Sequence, residues 1–379
     1  MVSIDHDFLL EVLRGLVRTN SINPSLVPGA PGEAAIAAYV AGVCRDAGLE
    51  AEVVEAAPGR PNVIATLRGD GGGRALMLNG HLDTVSVEGM AQPFDARDER
   101  GRLYGRGSCD MKGSLAAMIA ASAALRAQAH LAGDLVLTFV ADEEYASLGT
   151  EAIARTVRAD AAIVTEPTAL QITVAHKGFA WARFETAGRA AHGSDYGHGR
   201  DAIAAMGDVL VELRRLETNR LPQHQHPLLG RASVHASLIT GGEGLSTYPS
   251  RCVLEVERRT LPGETAAEIE AEMREVLERA GEGTVELVFF RPAYEIAPDA
   301  PVVTALASAA SRVLGARPKL VGMAPWMDSA ILGPAGIPSA IFGPAGAGAH
   351  AAEEYVEVES CVRCAEVLAA AALEFCGSS

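Results

Sequence analysis

Residues 74–85 read RALMLNGHLDTV: an apolar run that ends at His81, with Asp83 one spacer further on. A short apolar run bounded by polar residues is the pattern of a strand buried on both faces. Upstream of it, helical spacing in HDFLLEVLRGLVRT and GEAAIAAYVAGVCRDAG is followed by the strand-like runs AEVVEA and NVIATLRG. Downstream come a helix in MKGSLAAMIAASAALRAQA, the strand DLVLTFVA, the helix GTEAIARTVRA and the strand AAIVTE. Strands interleaved with helices define an α/β sheet. After Val174 the texture changes to two alternating strands, a helix, two strands, a helix and a strand, from FAWARFETAG to TVELVFF. That order describes a small α+β, ferredoxin-like insert. From about Pro301 the βα rhythm returns. The expected organisation is an α/β domain formed by residues 1–174 and 291–379, interrupted by an inserted module at 175–290.

Composition narrows the function. A chain of 379 residues, 49% apolar with its charges intermixed, has a sizeable core and room for two domains. A net charge of −16 repels phosphate backbones and anionic membrane surfaces, so neither nucleic acid nor membrane is expected as a partner. The N-terminal MVSIDHDFLLEVLRGLVRTN carries acids at helical spacing and fits neither a signal peptide nor a membrane span, which leads us to expect a cytoplasmic enzyme. Six scattered cysteines are too few for a disulfide framework. Cys361 and Cys364 form a CxxC without a second pair, and read as two thiols on a C-terminal helix.

The polar residues fall at telling places. In open α/β sheets, ligands gather outside the carboxyl ends of the strands. His81 and Asp83 close one run, Glu143 and Glu144 close LVLTFVADEE, and Glu166 closes AIVTEPT. Asp110 opens the helix after YGRGSCDMKG, and His350 follows the glycine-rich turn after AIFGPAGAGA. Each has an ordinary explanation: a hydrogen-bonded loop pair, a helix N-cap, solvated charges, a turn before proline, an exposed histidine. Accident at five separate chain ends is the weaker account. Two imidazoles with three or four carboxylates make a ligand set for two divalent ions sharing one carboxylate.

With these motifs the chain resembles the metal-dependent aminoacylase and carboxypeptidase family that contains acetylornithine deacetylase, succinyl-diaminopimelate desuccinylase, aminoacylase and glutamate carboxypeptidase. The resemblance runs nearly end to end, through GHLDTV, YGRGSCDMKG, ADEE, TEPT, HKGFAW, AAHGS, ERRTLPG and FGPAGAGAHAAEEYV. It implies a dinuclear zinc exopeptidase-like catalytic domain whose insert serves as lid and dimerisation surface, so that a homodimer is expected. His81, Asp110 and Glu166 would hold one metal, and Asp110, Glu144 and His350 the other, with zinc expected and cobalt as the alternative. The family's peptide bond after the bridging aspartate is cis, which implies a cis Asp110–Met111 bond. Glu143 would activate a metal-bridging water and return its proton to the leaving amine. His192 in GRAAHGS would hydrogen-bond the oxyanion, and Arg259 in ERRTLPG would clamp the substrate carboxylate, with Arg258 pointing away.

Strand alternation adds detail. Residues 81 and 83 of an extended segment point the same way, so Asp83 is expected to accept the ring N–H of His81. Adjacent Glu143 and Glu144 should face apart and divide base from ligand. The sequence departs from the family pattern at two places. GGEGLSTYPS puts Ser246 or Thr247 where relatives commonly have asparagine, and PWMDSA puts Met327 where a small hydroxylated residue is usual before Asp328. Both bear on substrate choice, with Ser246 taken as the candidate binding residue. His224 and His226 in LPQHQHP match no family ligand and read as surface loop. The expected activity is hydrolysis of an N-acyl amino acid, acetylornithine deacetylase-like or succinyl-diaminopimelate desuccinylase-like. A dipeptidase or glutamate-type carboxypeptidase with the same metal centre is the alternative, and a non-catalytic metal-binding protein is the alternative from another class.

Overall fold

The computed structural model describes residues 2–378. The chain forms two compact units, one running through Val174 and continuing over Ile296–Val321 and from Met327 onward, the other comprising Ala175–Glu295 and Gly322–Trp326.

The first unit is built on a mixed sheet. Its strands lie in the order Glu50–Ala57, Arg60–Leu67, Leu135–Val140, Leu76–His81, Ala161–Val164, Ser339–Ile341 and Ile172–His176. Four neighbours in the middle, Leu135–Val140, Leu76–His81, Ala161–Val164 and Ser339–Ile341, are parallel. All four are buried along their whole length, which is why they read as continuous apolar runs rather than alternating ones. The helix Gly113–Gln128 is apolar almost all round and lies in the interior, its alanines and serines permitting close packing. Gly80 shows how close: a Cβ there would come within 2.7 Å of Leu115 and 2.8 Å of Met111. Because the central strands are parallel, their carboxyl ends open on one edge of the sheet.

A second, small antiparallel sheet of Arg97–Glu99, Arg102–Tyr104, Tyr355–Glu357 and Gly346–Ala347 belongs to the same unit. It went unread in the sequence because its strands have only two or three residues. The hairpin from Gly346 to Glu357 carries His350 at its bend, in the left-handed region at φ 63°. Among the described residues no helix is long and apolar enough to cross a membrane. All six cysteines are buried and free, and Cys361 and Cys364 lie on the terminal helix Val358–Cys376.

The second unit carries an antiparallel sheet in the order Ser233–Gly241, Arg251–Thr260, Gly178–Ala187, Thr284–Arg291. With helices Ala202–Arg215 and Ala266–Ala280 in between, the chain order is the split β-α-β of ferredoxin-like domains. Phe184, Leu254, Met206 and Met273 lie in the core between sheet and helices. The unit differs from residues 175–290 at two places. Tyr294–Glu295 pair with Ala175–His176, and Trp326 stands edge-on to His176 and Phe179, so short segments beyond 290 join it.

Candidate metal centre

Five of the seven side chains singled out at chain ends converge on the carboxyl edge of the parallel strands. His81 is the last residue of its strand, Glu143 and Glu144 follow Val140 in a turn, and Glu166 follows Val164. His81 Nε2 lies 2.9 Å from Asp110 Oδ1 and 3.8 Å from Glu166 Oε1. His350 Nε2 lies 3.5 Å from Asp110 Oδ2 and 3.0 Å from Glu144 Oε2. His81, Asp110 and Glu166 thus form one cluster, and Asp110, Glu144 and His350 another, each with ligand atoms within 4.8 Å of one another. The two oxygens of Asp110 are divided between them.

Asp110 reaches this position because it is not a helix cap. The helix starts only at Gly113, and Asp110 is extended at φ −119°, ψ 94°, followed by a cis bond to Met111. Its loop is gripped by Glu354, a residue overlooked in the sequence. That carboxylate accepts the N–H groups of Gly107, Cys109 and Asp110 at 2.9–3.0 Å and the Arg106 guanidinium at 2.6 Å. Arg106 also donates to the carbonyl of Ala351, which ties the Asp110 loop to the bend bearing His350. Gly343 opens the route from the last parallel strand, since a Cβ there would lie 2.3 Å from the carbonyl oxygen of Glu166.

Two expectations from alternation are corrected. The ring Nδ1 of His81 is 2.9 Å from the backbone carbonyl of Asp83 and 3.7 Å from its carboxylate, so the carbonyl is the acceptor. The strand ends at His81, and the two-residue period does not extend past it. The Asp83 carboxylate instead accepts the N–H groups of Glu143 and Glu144 at 3.1 and 3.2 Å and the Asn23 amide at 2.7 Å. Glu143 and Glu144 are separated not by strand pleating but by a turn that begins at Asp142, φ 69°. Glu144 enters a ligand cluster and Glu143 enters neither.

Electrostatics describe a site built for cations. Burial and neighbouring negative charge push Glu143 and Glu166 well above the usual carboxylate range, with His81 opposing, and burial chiefly pushes Asp83 up to about 7. Burial works against protonating His81, yet its hydrogen bond to Asp110 and the nearby carboxylates hold the imidazole above its ordinary value. His350, bonded to Asp110 and Glu144, is raised to about 10. Asp110 is pulled below the usual range by these two imidazoles against the effect of burial. Five carboxylates crowded together in this way need positive charge, and bound dications would supply it while leaving both imidazoles neutral ligands. Glu144 Oε1 is buried with no hydrogen-bond partner among the described residues, as a ligand atom would be. The all-nitrogen-and-oxygen donor set fits zinc or cobalt chemistry.

The remaining candidates lie in the second unit. His192 is exposed, and its Nδ1 accepts from the Ser194 N–H at 3.3 Å and lies 2.8 Å from Ser194 Oγ, which leaves Nε2 as the donor. Residues 246–247 run beside it: Gly193 N–H donates to the Ser246 carbonyl at 2.7 Å, and His192 bridges Thr247. Arg258 and Arg259 face opposite sides of their strand. Arg258 is buried and paired with Glu264 and Glu272, while Arg259 is part-exposed, bonded to Glu257 and stacked on Phe179. His226, read as surface loop, instead lies 3.2 Å from Glu295 and accepts the N–H groups of Leu228 and Leu229, whereas His224 is exposed. Met327 is buried, and Asp328 accepts from Thr150 Oγ1 at 2.5 Å.

One carboxylate shared by two clusters would allow two dications to sit side by side, which makes the arrangement a candidate dinuclear metal centre. Residues 77–374 match the peptidase family M20/M25/M40, and the chain belongs to that family. It is 34% identical over 351 residues to an acetylornithine deacetylase of Myxococcus xanthus, covering 88% of this chain and 86% of that one. The fold is similar to that of aminopeptidase PepT from Bacillus cereus, with TM-score 0.82, 21% identity and coverage of 99% and 100% of the two chains. A dinuclear metal-binding peptidase of the M20 family from Bacillus subtilis superposes with TM-score 0.75 at 17% identity, covering 99% of each chain. The protein is a metal-dependent hydrolase acting on amides.

Proposed function

We propose that this enzyme releases a free amino acid from an N-acyl amino acid, with His81, Asp110 and Glu166 holding one zinc ion and Asp110, Glu144 and His350 the other. The observation that carries the reading is the division of the Asp110 oxygens between His81 and His350. When bound, the two dications supply Lewis-acid activation of the amide carbonyl and of water. Glu143, in neither ligand cluster but beside both, takes the proton from the attacking water and delivers it to the leaving nitrogen. Asp83 keeps Glu143 in place through the backbone N–H of the turn. His192 donates from Nε2 to the oxyanion, Arg259 holds the amino-acid carboxylate with its two-pronged guanidinium, and Ser246 supplies a further hydrogen bond. Similarity to an acetylornithine deacetylase supports the acyl amino acid class.

The test is amine release from acetyl-, succinyl- and aminoacyl-amino acids by chelated enzyme reloaded with zinc or cobalt. We expect no turnover after chelation, recovery with either ion, and acetate or succinate as co-product. A second amino acid as the only co-product would favour the dipeptidase reading, and no turnover on the whole panel would remove the assignment. On the best substrate, Arg259→Ala should act mainly on KM and His192→Ala mainly on kcat.

The second unit serves as lid and as the contact between two copies. Its edge strand Ser233–Gly241 exposes Leu238 (66%) and Ile239 (54%), and the helix Ala202–Arg215 exposes Ile203 and Val211. An exposed apolar sheet edge is a template for pairing with another chain. Sedimentation should find a dimer that Leu238→Lys converts to monomer; a monomeric parent would end this proposal.

A further inference from the structure

The turn that carries Glu143 and Glu144 is held from behind by a buried polar cluster that the reaction does not itself use. Asp142 and Ser147 are both left-handed, at φ 69° and 53°, and the carbonyl of Asp142 accepts the N–H groups of Tyr145, Ala146 and Ser147 at 3.3, 3.0 and 2.5 Å. Non-glycine residues in that region persist only where their surroundings fix them. What fixes Asp142 is its side chain. Its Oδ1 accepts from Arg60 Nη2 at 2.8 Å and from Asn23 Nδ2 at 3.1 Å. The same Asn23 amide donates to Asp83, whose carboxylate holds the N–H groups of Glu143 and Glu144. Arg60 in turn is locked by Glu33, through Nε at 2.8 Å and Nη2 at 2.6 Å, and reaches Asn23 Oδ1 at 3.2 Å. Glu33, Asn23, Asp142 and Asp83 are buried, and the Arg60 side chain is 10% exposed.

We propose that Arg60 and Asn23 are positioning residues for the reaction: they fix Asp142 and thereby the turn that presents Glu144 to the metal and Glu143 to the substrate. Asn23 belongs to the SINPS stretch, residues 21–25, whose backbone is laced to residue 84 by the bonds Thr84 N–H to Ser21 and Asn23 N–H to Thr84. The N-terminal segment is therefore part of the site's support. The geometry makes the effect unequal between the two ligand clusters. Glu144 sits on the supported turn itself, whereas in the cluster of His81, Asp110 and Glu166 only His81 meets the support, through the backbone carbonyl of Asp83 and not through the Asp83 carboxylate that Asn23 holds.

The inference rests on the proposed two-zinc reading, and zinc binding tests it apart from turnover. Arg60→Lys keeps the charge but loses the fork that spans Glu33, Asn23 and Asp142; Asn23→Ser shortens the amide at little cost in bulk. In competition with a chromophoric chelator, each full-length variant should bind one zinc as the parent does and the second about 10-fold or more weakly. On the best substrate of the panel, kcat should fall about 10–100-fold with KM nearly unchanged. A lower Tm with both zinc affinities and kcat unaltered would make the cluster merely structural and overturn the proposal. Equal weakening of both zinc sites would overturn it as well. A parent that binds two zinc ions but hydrolyses nothing would sink the acyl amino acid reading while the unequal zinc loss still decides this one; a parent without a second zinc would sink both.

Discussion

Replacing Glu143 by glutamine is expected to lower kcat by about 10²–10⁴-fold while both metal ions stay bound. Glutamine preserves the length of the side chain and leaves the backbone N–H bond to Asp83 intact, so the turn should hold. What it removes is an acceptor for the proton of water. Because Glu143 belongs to neither ligand cluster, the metal content of the purified variant should match the parent's. Kinetics on the best panel substrate, paired with elemental analysis of the same sample, checks both halves. Loss of metal in step with activity would make Glu143 a ligand, and retained kcat would place the base elsewhere.

Asp110→Asn should be the more complete lesion, abolishing the metal pair and reducing hydrolysis to background. Asp110 Oδ1 faces His81 and Oδ2 faces His350, so the residue serves both clusters at once. An asparagine of the same shape offers one oxygen and one NH₂ group, and the NH₂ group cannot coordinate. The substitution also removes the negative charge that would lie between two mutually repelling dications. The loop should remain folded, because Glu354 grips it through backbone N–H groups that the change leaves alone. Zinc titration should therefore find neither tight site while circular dichroism stays native. If Asp110→Asn still bound two zinc ions with parental affinity, the shared-carboxylate arrangement would be wrong.

Where sequence reasoning succeeded and failed around this site has a common physical cause. Patterns of apolar residues placed His81, Glu166 and the Glu143–Glu144 pair at strand ends, because parallel strands buried on both faces have a clear composition and their carboxyl ends share one side. The same reasoning assigned Asp83 to the His81 ring and treated residues 143–144 as extended. Both steps carried a strand's alternation into loops that have left the strand, and the backbone there follows hydrogen bonds instead. Glu354, Asn23 and Arg60 were overlooked for a different reason. Their partners lie far along the chain, 82 residues in the case of Arg60 and Asp142 and 244 for Glu354 and Asp110, so no local spacing announces them.

By itself the sequence determined the α/β character, the change of texture after Val174 and the residue types able to bind metal, since periodicity and residue chemistry are local properties of the chain. Tertiary structure alone decided which atoms meet behind the site: the carbonyl that orients His81, the Glu354 carboxylate that grips the Asp110 loop, and the buried arginine behind the turn of Glu143 and Glu144. Burial is the reason, because a polar group removed from water must find its partner wherever the fold provides one.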